Sequence, residues 1–263
     1  MAIKKYLKMF SLFKNKKNTS SVIESIKSID RYKVTYIDDL FDKKFKIVDS
    51  LSFYYSYKEI FEEKIYDFKS DSDKPRIIDC GANVGLAIMR WKQLYPKARI
   101  MAFEADPNVF KVLSENIDRF QFGNCELYNK AVWNEKTILR FDSEGADAGR
   151  LSNLTESSEQ KNINEVKTTT LSQFLDKKID LLKMDIEGAE INVIDESSEV
   201  LKNVSHLFIE YHSFANKTQN LSHLLKILEQ NNFRYYLQTQ FCPAKPFKNI
   251  DTQYDMDLQI NIS

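Results

Sequence analysis

This chain lacks most of the features that assign a protein at sight. It has only three cysteines in 263 residues, Cys80, Cys125 and Cys242. Their spacing fits neither a metal module nor an even-numbered disulfide framework, so a reducing, cytoplasmic setting is expected. It has no net charge, because 38 basic side chains balance 38 acidic ones. A neutral chain has no global field with which to collect nucleic acid. It has no apolar run near the roughly 18 residues that cross a membrane, and no internal repeat. Histidine is scarce, with three in all. What is left is ordinary globular composition, 43% hydrophobic and 29% charged. The length suits one large domain, or a domain with an extension.

One local charge asymmetry stands out. Lys4, Lys5, Lys8, Lys14, Lys16 and Lys17 precede any acidic residue, with Ile3, Leu7, Phe10 and Phe13 at helical spacing among them. The segment lacks the continuous apolar core of a signal peptide. It reads either as a basic amphipathic helix in weak contact with a membrane surface or a partner, or as a solvated tail. Residues 31–55, rich in Tyr, Phe, Val and Ile, predict a small β-hairpin, and Tyr57, Ile60, Phe61 and Ile65 fit one helical face. The polar stretch Lys69–Lys74, ending at Pro75, then separates a basic helix and cap (1–70) from a main domain (71–263).

The main domain alternates strand and helix, as a parallel sheet demands. Strands are predicted at 76–80, 99–103, 125–132, 136–141, 179–184, 207–210 and 234–240. Val166, Thr168 and Thr170 alternate as another, and Ser172 is placed to cap a short helix. Helical faces run through Val84, Ile88, Trp91 and Tyr95, through Phe110, Leu113, Ile117 and Phe120, and through Leu221, Leu224, Leu225 and Leu228. Residues 142–165 read as a mobile loop. Met256, Leu258, Ile260 and Ile262 alternate with polar residues, the pattern of an antiparallel strand with one face in water. Five parallel strands closed by that terminal strand are the expected core.

The most informative segment is Ile77-Ile78-Asp79-Cys80-Gly81-Ala82-Asn83-Val84-Gly85, a strand, a tight turn and a helix start. Its loop can approach a ligand through bare backbone. A dinucleotide fingerprint wants Gly at the first, third and sixth loop positions. Those are Gly81, Asn83 and Leu86, so two of the three fail. An acid two before the first glycine, with glycine again four after it, suits an S-adenosylmethionine loop. An ordinary α/β turn is the plainer alternative. Glu104 then sits at the end of the second strand, where an acid can accept both ribose hydroxyls of a nucleoside. Asp106-Pro107 opens the next helix as N-cap and first helical residue.

Ligands of open α/β sheets bind beyond the carboxyl ends of the strands. The polar residues expected there are Asp79, Glu104, Asp185 with Glu187 and Glu190, and Glu210 with His212. Asp185 and Glu187 share a side if the chain is extended, and Glu190 suits the dipole of the helix it opens. Three acids could bind a divalent cation through oxygen, but no further Asp or Asn ligand is near in sequence and no metal is assigned. His212 at a strand end can serve as a general base, with Glu210 on the same face; His206 and His223 are poorly placed. Helix capping and a solvated loop histidine remain the plain readings of these groups.

Together, Asp79–Gly85, Phe103-Glu104-Ala105-Asp106-Pro107, Lys183-Met184-Asp185-Ile186-Glu187-Gly188-Ala189-Glu190 and Ile209-Glu210-Tyr211-His212 resemble the FkbM family of S-adenosylmethionine-dependent methyltransferases, from about residue 45 onward. Glu144–Arg150 resembles the family's mid-chain loop, with Ala148-Gly149 where a Gly-Gly pair is usual, and Ala105 stands where many members have Pro. The resemblance implies a Rossmann-like class I fold: a mainly parallel seven-stranded sheet with an antiparallel C-terminal strand, helices on both faces and a small N-terminal α/β cap. It implies O-methylation of a sugar, glycan or secondary-metabolite hydroxyl. Asp79, Gly81, Asn83 and Gly85 would hold the methionine end of the cofactor and Glu104 the ribose, with Ala131 as a further contact. His212, then Asp185, would be the base, with Glu210 in support. Tyr54, Tyr55 and Tyr57 are available to stack on a sugar. Rival readings are a nicotinamide oxidoreductase, which needs the glycine pattern absent here, a methyltransferase of protein, nucleic acid or lipid, and a non-catalytic partner in a glycan-assembly complex.

Overall fold

The computed structural model describes residues 19–38, 40–142, 150–152, 163–214, 217–241 and 256–263. The Lys-rich N-terminal segment and most of the mid-chain Glu144–Arg150 motif lie outside them. No helix among the described residues is long and apolar enough to cross a membrane.

The N-terminal part comprises α1 (Thr19–Ile26), the antiparallel strands β1 (Thr35–Ile37) and β2 (Phe45–Ile47), and α2 (Ser50–Tyr57) running into a π-helical segment, Lys58–Glu63. The hairpin is shorter than the 31–55 composition suggests because Asp49 stops it. The Asp49 carboxylate caps α2 through the Ser52 amide at 2.9 Å and receives a two-pronged Arg31 at 3.1 Å. Burial would raise its pKa, but Arg31 and the Ser52 and Tyr32 amides hold it down at about 2. Phe41, Phe45, Phe53, Tyr57, Phe61 and Phe120 pack ring on ring beneath the hairpin. Aromatic density in this stretch therefore serves the core. Tyr54 and Tyr57 are buried, with the Tyr54 hydroxyl on Glu24, so of the three tyrosines expected to face a sugar only Tyr55 is exposed.

The rest runs β3 (Arg76–Cys80), α3 (Leu86–Leu94), β4 (Arg99–Phe103), α4 (Pro107–Phe120), β5 (Cys125–Tyr128), β6 (Ala131–Val132), β7 (Ile138–Asp142), β8 (Arg150–Ser152) and β9 (Ile163–Thr169). Then come a 3-10 turn (Ser172–Phe174), β10 (Leu181–Met184), α5 (Glu190–Ser197), a second 3-10 turn (Ser198–Asn203), β11 (Leu207–Phe214), α6 (Leu221–Gln230), β12 (Leu237–Phe241) and β13 (Met256–Ile262). The main sheet has seven strands in the order β5-β4-β3-β10-β11-β13-β12, with β13 antiparallel to both neighbours and the other adjacent pairs parallel. The expected Rossmann-like architecture is thus present. The order reverses between β3 and β10, the switch point where such sheets bind ligands.

Four local expectations differ. The strand predicted at 125–132 breaks at Asn129, whose amide donates to the Glu104 and Ala105 carbonyls. Ala131 consequently joins β9 in a second, four-stranded sheet. Ser172 caps no α-helix; the Glu196 carboxylate takes its amide and hydroxyl instead. β11 extends to Phe214, so His212 lies within a strand. β13 is interior rather than terminal in space, and its polar residue Asn261 is buried.

Each face of the sheet has its own core. Ile77, Ile100, Leu181 and Phe208 meet α3, α4 and the cap, while Ile78, Leu182, Met184 and Ile209 meet α5 and α6. Asn116 fastens the cap to the first face: its amide accepts from Lys46 N and donates to the Lys46 and Val84 carbonyls, each at 2.9 Å. The Trp91 indole N–H donates to Tyr66 O at 3.1 Å, fixing the segment that leaves the cap.

Candidate active site

The loop after β3 is shaped by the strand ends around it. Gly81 has φ +84°, and a Cβ there would lie 1.8 Å from the Asp185 carbonyl oxygen, so the β3 and β10 exits touch backbone to backbone. The Gly81 and Ala82 amides donate to Phe103 O at 3.0 and 2.9 Å. Asn83 (φ 46°) gives its amide to Glu104 Oε2 at 2.9 Å, and its side chain accepts from Val84 N at 2.7 Å. Gly85 has φ +92°, and a Cβ there would meet Leu113 Cδ1 at 2.8 Å.

Glu104 ties this loop to the next one. Its second oxygen accepts from Asp106 N at 2.8 Å. Burial pushes the carboxyl up to about 7 against the pull of these two amides. Each oxygen retains one lone pair, the capacity that two ribose hydroxyls need. Ala131 and Val166 form a small apolar cluster against which Ala105 packs, which sets Ala131 beside the Glu104 strand end.

Asp79 lies beneath the loop rather than in it. Its side chain is fully buried, neither oxygen receives a hydrogen bond from the described residues, and the Lys183 ammonium stands 3.5 Å away. Lys183 also pairs with Asp185 Oδ2 at 3.2 Å and donates to Gly81 O at 2.6 Å. Burial would lower the Lys183 pKa, but Asp185 and Asp79 raise it well above the usual value, so it stays charged. Tyr66 of the cap packs against it, with Lys183 Nζ 5.7 Å from the ring centre. Sequence reasoning passed over this lysine; its signal was a cation inside an otherwise apolar strand, Leu181-Leu182-Lys183-Met184.

The acidic turn after β10 is not extended. Glu187 (φ 56°) and Gly188 (φ 97°) are both left-handed, and a Cβ on Gly188 would sit 2.6 Å from the Phe214 ring. Glu190 turns back to accept from the Ile186 and Gly188 amides at 3.3 and 3.0 Å, and the same oxygen meets His212 Nδ1 at 3.1 Å. It therefore positions a side chain besides suiting the helix dipole. His212 Nε2 is 3.6 Å from both Glu187 Oε2 and Glu210 Oε1, and the ring lies parallel to Phe214. Glu210 also accepts from Gln259.

Burial alone would lower the His212 pKa, but Glu187, Glu190 and Glu210 raise it well above the usual value. The carboxylates around it thus favour the protonated ring. Burial and the nearby Asp185 charge likewise push Glu210 well up. The other histidines stand apart from this group, His206 on the Asp180 carbonyl and His223 on Asp195.

The structure thus gathers the loop, Glu104 and the group Asp185, Glu187, Glu190, Glu210 and His212 around the switch point. Residues 79–235 match the family described as the methyltransferase FkbM domain, more than half of the chain. "Methyltransferase sdnD" of Sordaria araneosa is 30% identical over 205 residues, 59% of this chain and 78% of that protein. "Methyltransferase 1" of Beauveria bassiana is 26% identical over 198 residues, 62% and 80% of the two chains. The "2-O-methyltransferase NoeI" of Sinorhizobium fredii is 28% identical over 155 residues, 52% of this chain and 63% of that one. A crystal structure of methyltransferase FkbM from Methylobacillus flagellatus shares the fold, with a TM-score of 0.50 and 15% identity over 81% of this chain. This chain spans half of that longer protein. By its motifs, its fold and this match, the chain belongs to the FkbM family of methyltransferases.

Proposed function

We propose that this methyltransferase uses S-adenosylmethionine to methylate a hydroxyl group of a sugar, glycan or secondary metabolite. The observation that carries the reading is the Glu104 clamp: one buried carboxylate holds both the Asn83 and Asp106 amides and keeps acceptor capacity for a ribose. That donor and acceptor set fits an adenosine-bearing cofactor. The glycine spacing argues against a dinucleotide. The similarity to NoeI, a 2-O-methyltransferase, supports oxygen as the acceptor atom.

When bound, the cofactor supplies a methyl group on a sulfonium. The chain's own residues supply position and proton handling. Gly81, Asn83 and Gly85 shape the bed for the methionine end, and Asp79 acts from below by holding Lys183 in place. Alignment of donor and acceptor supplies much of the acceleration in such a transfer. The acceptor hydroxyl must lose its proton, and Asp185 is the carboxylate best placed, part-exposed at the β10 exit with Lys183 beside it. Tyr66 lies on Lys183, and the π-helical segment is linked to β12 through Glu59 and Gln240, so this part of the chain would border the acceptor. The free thiols Cys80 and Cys125 support a reducing, cytoplasmic setting, and the neutral chain supports an acceptor other than nucleic acid.

Isothermal titration with S-adenosylmethionine, S-adenosylhomocysteine and NAD tests this on wild type and Glu104→Ala. Binding of the first two alone, lost in the variant, is the expected result. Absence of binding by either methionine nucleoside would sink the reading and leave a non-catalytic partner ahead.

A further inference from the structure

We infer that Asp185, Glu187 and His212 form a binding site for a divalent cation of the Mn2+ or Mg2+ class. One ligand atom from each residue lies within 4.8 Å of the other two. Around an octahedral ion with bonds of about 2.1 Å, neighbouring ligands stand roughly 3 Å apart and opposite ones roughly 4.2 Å. Glu187 Oε2 and His212 Nε2, at 3.6 Å, already fall inside that span. Asp185 and Glu187 are only partly buried, with side chains 25% and 21% exposed, and can close the remaining distance.

The imidazole is the fixed member. Glu190, itself held by two amides, engages His212 Nδ1, and Phe214 lies parallel to the ring. That leaves Nε2 facing Glu187 and Glu210, each at 3.6 Å, with Asp185 within reach of the same group; an outer carboxylate on Nδ1 is the arrangement that orients metal-bound histidines. Two hard oxygen ligands with one imidazole favour Mn2+ or Mg2+ over a thiolate-seeking ion. An octahedral ion held here would keep three positions for water or an acceptor oxygen. It would acidify any oxygen it bound.

An independent observation marks the adjoining space as built for a polar occupant. Asn261 is 4% exposed, and neither of its amide atoms has a hydrogen-bond partner among the described residues. It lies directly across from Glu210 in the β11–β13 register, on the sheet face that also carries Gln259 and His212. A buried amide left unpaired costs about 1–3 kcal/mol. Water on a bound ion, or an acceptor hydroxyl, would satisfy it. In sequence the acids lack a further ligand because His212 comes from the next strand.

The test uses the full chain with neither cofactor nor acceptor, so it stands apart from the proposed reaction. Mn2+ is titrated and followed by the electron paramagnetic resonance of the free ion, with Mg2+ as competitor. One saturable site per chain is expected. Mn2+ should broaden the imidazole resonances of His212 while leaving His206 and His223 sharp, a readout that needs no variant. Glu187→Gln and Asp185→Asn should each weaken binding by at least about ten-fold, and Glu190→Gln by about 10- to 100-fold through the loss of its hold on His212. The surface variant Glu115→Gln should leave it unchanged, and thermal melts confirm that each variant is folded. Absence of saturable binding at millimolar Mn2+ overturns the inference, as does broadening centred on His206 or His223.

Discussion

Ionising Glu104 should weaken the folded state, and the effect is large enough to isolate. Its carboxyl is pushed from 4.5 up to about 7 because it is buried. Below pH 4.5 the group is protonated whether the chain is folded or unfolded, and it contributes nothing to the pH dependence. Between 4.5 and about 7 the unfolded chain releases the proton while the folded chain retains it, so stability falls as the pH rises. Above about pH 7 both states are ionised and the full penalty is present. At 1.36 kcal/mol per unit, a shift of roughly 2.5 units amounts to about 3 kcal/mol. Urea unfolding of wild type and Glu104→Gln near pH 4.5 and again near pH 8 isolates this one group. The variant-minus-wild-type stability should move in the variant's favour by about 3 kcal/mol across that window, whatever its fixed cost from a lost acceptor. A difference that stays constant with pH would refute the reasoning. Because ribose hydroxyls need the carboxylate form, cofactor binding near pH 6 should also release a proton, seen as a dependence of the binding heat on buffer ionisation.

Three further outcomes follow from the same geometry. Gly81→Ala drives a Cβ into the Asp185 carbonyl at a left-handed position and should abolish cofactor binding with a loss of at least about 2 kcal/mol in stability. Gly123→Ala, with nothing within 4 Å, serves as the neutral control in the same melts. Lys183→Met leaves Asp79 buried without its ion pair and should cost about 3–5 kcal/mol in denaturant unfolding, much of it recovered in the double variant with Asp79→Asn. Asn116→Ala removes all three bonds between α4, the hairpin and the loop. It should cost about 2–4 kcal/mol and speed hydrogen exchange at the Lys46 amide.

The parts legible in the sequence are those whose physics is local. The β3 run into Gly81, the Asp106-Pro107 start of α4 and the leucine face of α6 each carry their own signal, and each lies where that signal puts it. The acids at the strand exits were also legible, because the end of a parallel strand is a fixed place in this architecture. What failed was the environment of each group. Tyr57 looks available until the aromatic cluster closes over it, and Tyr54 until its hydroxyl meets Glu24. His212 looks like a solitary strand-end histidine until Glu187, Glu190 and Glu210 converge on it from a turn and its own strand.

By itself the sequence determined the alternation of strands and helices, the family and the glycine turn after β3, because periodicity, capping and turn chemistry act over a few neighbouring residues. Only the tertiary structure decided that Asp79 meets Lys183, that Asn261 is buried, and that three carboxylates surround His212. Those outcomes depend on which strands lie side by side, and on the low dielectric that burial imposes on charges distant in sequence.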